Sequence, residues 1–299
     1  MQQLPLGIRE FFLSGEFIDE MYAQQKIELP ETDASGQEIR HAINGYALFQ
    51  DAENPKHAAL ARYLGSNQWT AIRKKEGLRL EGIMPKDSRQ SALMDCLSNE
   101  KILLNVAIGS AGTGKTTIAL AFALNQFLNN NKPIFLTKPT TMVGEGRAFG
   151  PVPGDIDQKY APYLASYEIV LKKIGGGHNA QQFFSTMKEK GQLQFFPIEL
   201  ARGCTFENCT LILDEAQNLT WHELNTMISR MGENSKMVIL GDLNQIDTGT
   251  PIEKTGLYKM LSAPPFQDSS IASAVELVTQ YRSPITQLVT EINKWVSAQ

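Results

Sequence analysis

The chain has 299 residues, of which 42% are hydrophobic and 20% charged, and its formal net charge is −4. This composition provides enough apolar residues for a sizeable core and excludes a wholly disordered chain, and the length suits one large α/β domain plus a smaller one. Because the net charge is negative, any nucleic-acid contact must come from a local basic surface.

The hydropathy and the cysteine content of the chain indicate its cellular compartment. No apolar run approaches the roughly 18 residues that a membrane-spanning helix needs, and the N-terminus lacks a signal-peptide pattern. The three cysteines, Cys96, Cys204 and Cys209, form no C-x-x-C pair, which is typical of reduced thiols in a cytosolic protein. We therefore expect a cytoplasmic protein without a membrane segment.

Residues 1–82 are predicted to form a small, mostly β domain. After a short amphipathic opening at residues 8–22, brief segments with strand character alternate with polar or turn-forming stretches, which favours a small antiparallel sheet or barrel. The predicted strands are Gln25–Leu29, Gly45–Gln50, Ala58–Leu64, Trp69–Ile72 and Leu78–Ile83.

Residues 83–299 are predicted to form a larger α/β domain. Strand and helix patterns alternate from Pro85 onward, which indicates a parallel sheet with helices on both faces. Asp87 or Ser88 is expected to cap the first helix, and Asp155 the helix at 156–174. The apolar residues of that helix, among them Tyr167, recur with a helical period and are predicted to belong to the core. The predicted elements are helix 88–98, strand 102–108, helix 116–128, strand 134–137, helix 156–174, helix 180–190, strands 193–197 and 211–213, helix 221–231, strands 236–240 and 275–279, and a helix to about residue 296.

One stretch between the predicted strand 102–108 and the helix that follows it fits the P-loop pattern G-x-x-x-x-G-K-[ST] without a mismatch. Its residues are Gly109, Ser110, Ala111, Gly112, Thr113, Gly114, Lys115 and Thr116, and Thr117 follows in the helix. The glycines let successive N–H groups face phosphate oxygens, and the helix N-terminus adds partial positive charge. Lys115 can reach the β- and γ-phosphates and Thr116 can bind Mg²⁺, so the stretch predicts a nucleoside triphosphate site.

A second stretch, Leu211–Asn218, is an apolar strand that ends in two carboxylates. Asp214 is predicted to hold the Mg²⁺ shell, because in a parallel sheet the strand end lies beside the P-loop. Glu215 can orient or deprotonate the attacking water, which makes it the candidate general base. The alternative is an Asp-Glu pair that caps the next helix.

Two further polar residues follow later strands. Gln245 ends the sequence Gly241-Asp242-Leu243-Asn244-Gln245 and is the candidate γ-phosphate sensor, since its amide can both donate and accept. The alternative is a type I turn. Arg282 can stabilise transition-state charge as an arginine finger, and a surface ion pair is the competing interpretation.

With these residues assembled, the chain resembles the PhoH-like family of P-loop ATPases over about residues 83–295. The motifs that carry the resemblance are Gly109–Thr116, Leu200–Gly203 with Leu211–Asn218, Ser235–Asp247, and the proline-glycine-aspartate turn within Val152–Asp157. The resemblance implies hydrolysis of ATP with Mg²⁺.

The same residues resemble the first motor domain of superfamily 1 helicases, which implies a RecA-like fold. By this resemblance Gln90 stands where those proteins place an adenine-reading glutamine, and Gly241–Gln245 fits their G-D-x-x-Q. Leu277–Asn293 is similar to the segment that opens their second motor domain, although Gln280 replaces its usual Asn. The N-terminal strands resemble a small linking domain found in some PhoH-like proteins that carry a PIN nuclease, and nuclease activity is not implied here.

The resemblance also suggests partners. In motor domains of this type the loop after the second strand contacts single-stranded nucleic acid, which here assigns Lys138, Thr140, Thr141 and Arg147 to that role, with Arg202 on another loop. A glycine-rich lid without a nucleic-acid role is the alternative. The family points to a homo-oligomer, favouring a hexameric ring, in which a neighbouring subunit supplies Arg282.

The sequence thus favours a helicase-like ATPase acting on single-stranded RNA or DNA, with RNA preferred. One alternative is a nucleotide-gated oligomeric scaffold with slow ATP turnover. The other is a P-loop kinase, which the Asp-Glu pair and the G-D-x-x-Q sequence disfavour.

Overall fold

Two β-sheets organise the chain, one in the N-terminal quarter and one in the remainder. The computed structural model describes residues 4, 6–24, 26–39, 41–72, 77–139, 156–175, 180–201 and 203–281, together with 288, 292 and 295. The predicted fold, an α/β P-loop domain preceded by a small, mostly β unit, is confirmed.

The N-terminal sheet has five strands, and one helix packs on it. They are β1 (Arg9–Leu13), α1 (Gly15–Ala23), β2 (Ile27–Glu28), β3 (Tyr46–Asp51), β4 (Ala58–Gly65) and β5 (Gln68–Ala71). The strand order is β1-β3-β4-β5-β2. Its core centres on Trp69, Phe11 and Phe49, which are fully buried and in mutual ring contact.

Two predictions for this sheet are wrong. The sheet is not purely antiparallel, because β1 pairs with β3 in parallel. Helix α1 lies between these two strands in sequence, and a crossover that contains a helix returns the chain in the same direction. The predicted strand Leu78–Ile83 is instead a tight turn closed by Leu80 and Ile83, since Glu81 and Gly82 both have positive φ.

The second sheet has six strands, and all of its neighbouring strands are parallel. They are β6 (Leu104–Ile108), β7 (Ile134–Thr137), β8 (Leu193–Phe195), β9 (Thr210–Leu213), β10 (Lys236–Gly241) and β11 (Ala272–Glu276). The order β11-β6-β10-β9-β7-β8 places β6 and β9 on either side of β10. The carboxyl ends of these three strands therefore meet at one edge, where ligands of open α/β sheets bind.

Helices cover both faces of this sheet. They are α2 (Ser88–Ser98), α3 (Lys115–Asn130), α4 (Ile156–Ile174), α5 (Ala180–Glu189), α6 (Trp221–Ile228), α7 (Gly256–Ser262) and α8 (Pro264–Gln267). Alternate strand residues pack to opposite sides, as the strand period requires. Ala107 of β6 joins the core formed with α2 to α5, whereas Val106 and Ile108 join the core formed with α6 and α7.

The N-terminal sheet is joined to β11, the edge strand of the main sheet, by buried polar contacts. The Asn44 amide nitrogen donates to the carbonyl oxygens of Ser270 and Ala272, both at 3.0 Å. Its amide oxygen accepts from Arg62, whose guanidinium is also paired with Asp95 at 3.0 Å. These bonds satisfy backbone carbonyls at the start of β11 and hold the two sheets together.

The other end of β11 contacts the first described residues of the chain. The backbone N–H of Glu276 donates to the carbonyl oxygen of Leu6 at 3.0 Å, and Leu6 packs into the core beside α6 and α7. Unpaired groups on a sheet edge favour association with other chains. The N-terminal segment and Asn44 thus cover part of the edge that β11 would otherwise expose.

Most predicted elements of the main sheet are confirmed to within three residues, and Asp87 caps α2 through a 2.8 Å bond to the N–H of Gln90. The last strand was predicted at residues 275–279 and lies at Ala272–Glu276, three residues earlier. The chain leaves the sheet after Glu276. The predicted cap Asp155 lies outside the described residues, as does most of the C-terminal helix, of which residues 288, 292 and 295 are described and helical. Among the described helices, none combines the length and apolarity that crossing a membrane requires.

Candidate nucleotide-binding site

The P-loop connects β6 to α3, and two of its glycines stand where other residues would not fit. Gly109 has φ of 150°, and a Cβ there would lie 2.2 Å from the carbonyl oxygen of Leu277. Gly114 has φ of 99°, and a Cβ there would lie 2.9 Å from the Gln90 side-chain nitrogen. The loop thus passes between the chain leaving β11 and helix α2, and glycine at both positions permits this path.

The loop is suited to phosphate. Helix α3 has 16 residues and begins after Gly114, which has no side chain to cap the first turn. Its first N–H groups therefore point to the loop opening and can bind anionic oxygens. Lys115 Nζ donates to the carbonyl oxygens of Gly109 and, at 3.1 Å, of Ser110. This places the ammonium over the loop, as predicted for a phosphate-binding lysine.

The metal ligands predicted from the sequence lie side by side. The hydroxyl of Thr116 donates to Asp214 Oδ2 at 3.4 Å, although the two residues are 98 positions apart. Burial raises the pKa of Asp214 and the charge of Glu215 adds to this, whereas the backbone N–H of Glu215, the Tyr167 hydroxyl and the Lys115 charge lower it. The Asp214 carboxylate is therefore partly buried and interacts with the charge of Lys115.

These donors fit Mg²⁺ bound together with a nucleotide. Mg²⁺ favours hard oxygen ligands and is usually held by one or two carboxylates plus substrate phosphates. Thr116 and Asp214 provide such oxygens next to the phosphate loop. In the described part of the chain no group of three or more His, Cys, Asp or Glu residues could hold a metal.

Glu215 follows directly and has an unusual backbone. Its φ and ψ are 56° and 35°, in the left-handed region. Residues other than glycine rarely adopt this conformation, and at about 1–3 kcal/mol it persists where surrounding contacts enforce it. The carboxylate is exposed and its Oε2 accepts a 2.7 Å hydrogen bond from Gln217. The strand end is therefore bent so that the two neighbouring acids point in different directions.

Gln217 is a residue of the candidate site that sequence reasoning missed. It is 1% exposed, and its amide nitrogen donates to Glu215 Oε2 and to the carbonyl oxygen of Gln245 at 3.0 Å. Its amide oxygen accepts from the N–H of Asp242 at 3.0 Å. One buried side chain thus ties the end of β9 to the end of β10. The available signal was its position two residues after Glu215, in a short turn.

Asp242 and Gln245 lie at the end of β10, as predicted. The Gln245 side chain is exposed, and its backbone is the part bonded to Gln217. Asp242 is 4% exposed, burial raises the pKa of its carboxyl, and its Oδ2 has no hydrogen-bond partner among the described residues. A buried acceptor without a partner costs free energy, which is consistent with a site completed by a ligand.

Gln90 lies beneath the P-loop. It is 5% exposed, its amide nitrogen donates to the carbonyl oxygen of Thr113 at 2.9 Å, and its amide oxygen accepts from the N–H of Lys86 at 2.9 Å. Both ends of the amide are thus used to support the loop. Its role towards adenine stays a prediction.

The residues after β11 also contact the loop, which the sequence did not indicate. The Gln280 amide donates to the Ser110 hydroxyl at 2.8 Å, and the N–H of Tyr281 donates to the carbonyl oxygen of Gly112 at 2.9 Å. The Tyr281 hydroxyl donates to Asp87 at 2.6 Å. Arg282, the predicted arginine finger, lies outside the described residues.

Tyr167 was predicted to be a core residue of a helix, and it is 3% exposed. Its hydroxyl nevertheless reaches the site, donating to Asp214 Oδ2 at 3.1 Å. Burial and the charge of Asp214 raise the pKa of Tyr167 well above its usual value. The phenol is therefore a neutral hydrogen-bond donor to the Asp214 carboxylate.

Of the predicted nucleic-acid contacts, only Lys138 lies within the described residues. It follows β7 at the same edge of the sheet as the P-loop. Thr140, Thr141, Arg147 and Arg202 lie outside them. These assignments stay predictions.

Comparison with known proteins agrees with the motifs found in the sequence and with the geometry of the loop. A family model described as "PhoH-like protein" matches residues 82–294. The chain belongs to the PhoH-like protein family. Together with the loop geometry, this establishes a nucleotide-binding P-loop protein.

Several relatives of this PhoH-like chain are similar in sequence. Protein PhoH2 of Bacillus subtilis is 28% identical over 96% of this chain and 64% of its own length. A PhoH-like protein of the same organism is 38% identical over 50% of this chain and 45% of its own length. The chain thus spans between 45% and 64% of the length of these curated relatives. Among solved structures, Pif1 helicase from Candida albicans aligns with 70% of this chain and 43% of its own at 17% identity and a TM-score of 0.35, a similarity too low to assign a function.

Proposed function

We propose that this PhoH-like protein hydrolyses ATP with Mg²⁺ and couples hydrolysis to single-stranded nucleic acid, with RNA favoured. The observation that carries the proposal is the arrangement at the carboxyl ends of β6, β9 and β10. Thr116 contacts Asp214 at 3.4 Å, and Glu215 next to it is held by Gln217 at 2.7 Å. A phosphate cradle, a metal carboxylate and a second carboxylate available for water are thereby brought together.

Each of these residues has a distinct task in this proposal. Lys115 and the first N–H groups of α3 bind the phosphates, and Thr116 and Asp214 hold the metal. Mg²⁺ neutralises developing charge on the phosphate oxygens when it is bound. Glu215 orients the attacking water and accepts its proton, which is a general-base role. Gln245, joined to Gln217, reads the γ-phosphate from the third strand end.

A cavity of about 650 Å³ beside this site supports the coupling to nucleic acid. It is rich in hydroxyl groups, and such groups bind phosphate and sugar oxygens without reading sequence. Residues that line it include Pro139, Gln217, Thr220, His222, Thr250 and Lys254. Gln217 both lines the cavity and donates to Glu215. A strand bound in the cavity would therefore contact the residue that positions the general base.

The nucleic-acid proposal predicts that single-stranded RNA stimulates ATP hydrolysis and binds with strong dependence on salt. For a single strand, the logarithm of the binding constant should fall with the logarithm of salt concentration by about 0.7 for each phosphate neutralised. Lys138→Ala and Arg147→Ala should each weaken binding and lower that slope. Titrations at several salt concentrations and ATPase rates with and without RNA measure this.

Lys101→Ala is the control for these substitutions, since Lys101 is exposed at the opposite end of the sheet, just before β6. Affinity unaffected by salt and by both substitutions would contradict nucleic-acid coupling. Slow turnover without stimulation would favour an oligomeric scaffold, and a phosphorylated small-molecule product would favour a kinase.

The bridging role of Gln217 is tested by Gln217→Ala. The substitution removes the donor to Glu215, so kcat should fall about tenfold, a part of the roughly 10²–10⁴-fold that general-base catalysis provides. ATP affinity should change little, because Gln217 does not contact the P-loop in the described structure. Steady-state kinetics and equilibrium binding separate the two effects.

Gln194→Ala is a suitable comparison, because among the described residues the exposed Gln194 amide bonds only to its neighbour Gly191, at 2.8 Å. The bridging role is refuted by an unchanged kcat in a folded Gln217→Ala protein. Equal losses in kcat and in ATP affinity would also refute it.

We further propose that the protein works as a homo-oligomer, with a hexameric ring favoured, and that Arg282 acts on the ATP bound by a neighbouring subunit. The support is the family resemblance and the position of Arg282 directly after Tyr281, whose backbone contacts the P-loop residue Gly112. Mixed oligomers that carry different substitutions test this assignment.

A further inference from the structure

One oxygen of the metal carboxylate receives hydrogen bonds from two separate elements. Asp214 Oδ2 accepts from Thr116 at the start of α3, at 3.4 Å, and from Tyr167 in α4, at 3.1 Å. Asp214 Oδ1 accepts from the N–H of Glu215 at 2.9 Å. The carboxylate is thus held on both oxygens, and its only described side-chain donor besides the predicted ligand Thr116 is Tyr167.

Helix α4 is anchored in a way that fixes Tyr167. The helix packs against α3, and Leu171, one turn beyond Tyr167, is fully buried. On its other side Glu168 forms an ion pair with Lys188 of α5. The Tyr167 ring therefore has a defined position, and the direction of its hydroxyl is set by the packing of α4 against two helices.

We propose that Tyr167 is a positioning residue for the metal site, holding the Asp214 carboxylate in the orientation in which it faces Thr116 and binds Mg²⁺. The inference rests on the proposed function, because it presupposes a metal–nucleotide complex at Thr116 and Asp214. Groups that hydrogen-bond to metal ligands orient them, and their loss commonly weakens metal binding about 10- to 100-fold.

The test is Tyr167→Phe in the full chain, which removes the hydroxyl and keeps the buried ring. Mn²⁺ replaces Mg²⁺ as a paramagnetic probe, and its binding to the protein–ADP complex is followed by electron paramagnetic resonance. We expect the dissociation constant for Mn²⁺ to rise about tenfold. The affinity for ADP measured in EDTA should stay that of the wild type, because Tyr167 does not contact the P-loop in the described structure.

Tyr46→Phe is the matched control. Tyr46 is also buried, at 2% exposure, and its hydroxyl also donates to a carboxylate, that of Asp95 at 2.8 Å. This bond joins β3 of the N-terminal sheet to helix α2. Tyr46→Phe should leave Mn²⁺ binding unchanged, and thermal unfolding of both variants measures any general loss of stability.

A second measurement on the wild type needs no substitution. Because binding linkage is reciprocal, metal held through Asp214 must stabilise the helix that holds Asp214. Amide hydrogen exchange in α4 should therefore slow when Mn²⁺ is added to the ADP complex, relative to ADP alone.

The outcomes separate the two levels of the proposal. If the wild type binds Mn²⁺ with ADP, either of two results overturns the role of Tyr167 and leaves the proposed function intact. One is an unchanged dissociation constant for Mn²⁺ in Tyr167→Phe, and the other is no slowing of amide exchange in α4. A loss of ADP affinity in EDTA that is proportional to the loss of Mn²⁺ affinity indicates a structural role for Tyr167. This result also overturns its role as a positioning residue. Failure of the wild type to bind Mn²⁺ with ADP contradicts the proposed function itself.

Discussion

Replacing Glu215 with Gln should lower the rate of ATP hydrolysis by about 10²–10⁴-fold while ATP binding persists. Glutamine keeps the size of the side chain and removes its ability to accept a proton. The left-handed backbone at this position, with φ of 56°, is set by the turn that follows β9 and does not require the carboxylate. The substitution therefore tests proton transfer and water orientation without changing the fold of the site.

Single-turnover hydrolysis and equilibrium binding of ATP measure the two properties separately. Glu207→Gln is the matched control, since Glu207 is an exposed acid located before the amino end of the same strand, β9. A Glu215→Gln protein that hydrolyses ATP at the wild-type rate would show that another group activates the water.

Replacing Lys115 with Ala should reduce hydrolysis to background and weaken ATP binding by at least about tenfold. A hydrogen bond that involves a charged group contributes about 1.5–3 kcal/mol, and each 1.4 kcal/mol corresponds to a factor of ten in affinity. Lys115 Nζ lies over the loop, bonded to the carbonyl oxygens of Gly109 and Ser110. Its charge is therefore placed where phosphates would enter.

Lys101→Ala provides the comparison, because Lys101 precedes the amino end of β6 and Lys115 follows its carboxyl end. Both substitutions remove one lysine charge next to the same strand. Equal ATP affinity in the two variants would show that the loop does not bind phosphate through Lys115.

The Lys115→Ala subunit also tests whether sites are shared between copies. Mixed with an Arg282→Ala subunit, it should restore part of the activity that each variant lacks alone. In the mixed oligomer, an intact P-loop can be completed by an intact Arg282 from its neighbour. Absence of recovery at every ratio, with assembly intact, would contradict a site that spans two subunits.

The elements whose signals are local were predictable from the sequence. The P-loop, the strand that ends at Asp214 and the cap at Asp87 each depend on residues within a few positions of one another. Strand β7 was predicted at residues 134–137 and has those bounds. Such features follow from backbone chemistry and short hydrophobic runs, which require no knowledge of distant contacts.

The residues that were missed act through contacts between distant segments. Helical spacing predicted that Tyr167 is buried, but it could not show that the hydroxyl would meet Asp214, 47 residues later. The function of Gln217 depends on the turn that brings the end of β10 beside it. Contacts from Gln280 to Ser110 connect positions 170 residues apart.

Helix α7 was missed for a different reason. It lies in a stretch interrupted by Gly249, Pro251 and Pro264, residues that usually mark loops. Its start is set by Thr255, whose hydroxyl accepts from the N–H of Tyr258 at 3.2 Å. The helix has only seven residues and is stabilised mainly by burial against α6, which a short pattern cannot reveal.

The way β11 is covered has a consequence for fragments of this protein. A fragment that begins near residue 82, where the family match begins, lacks both Leu6 and Asn44. Without their hydrogen bonds to Glu276, Ser270 and Ala272, the outer strand of the parallel sheet presents bare backbone groups to solvent. Exposed edges of this kind pair with other chains and promote aggregation. The residues that precede the family match thus shield the outer strand of the parallel sheet.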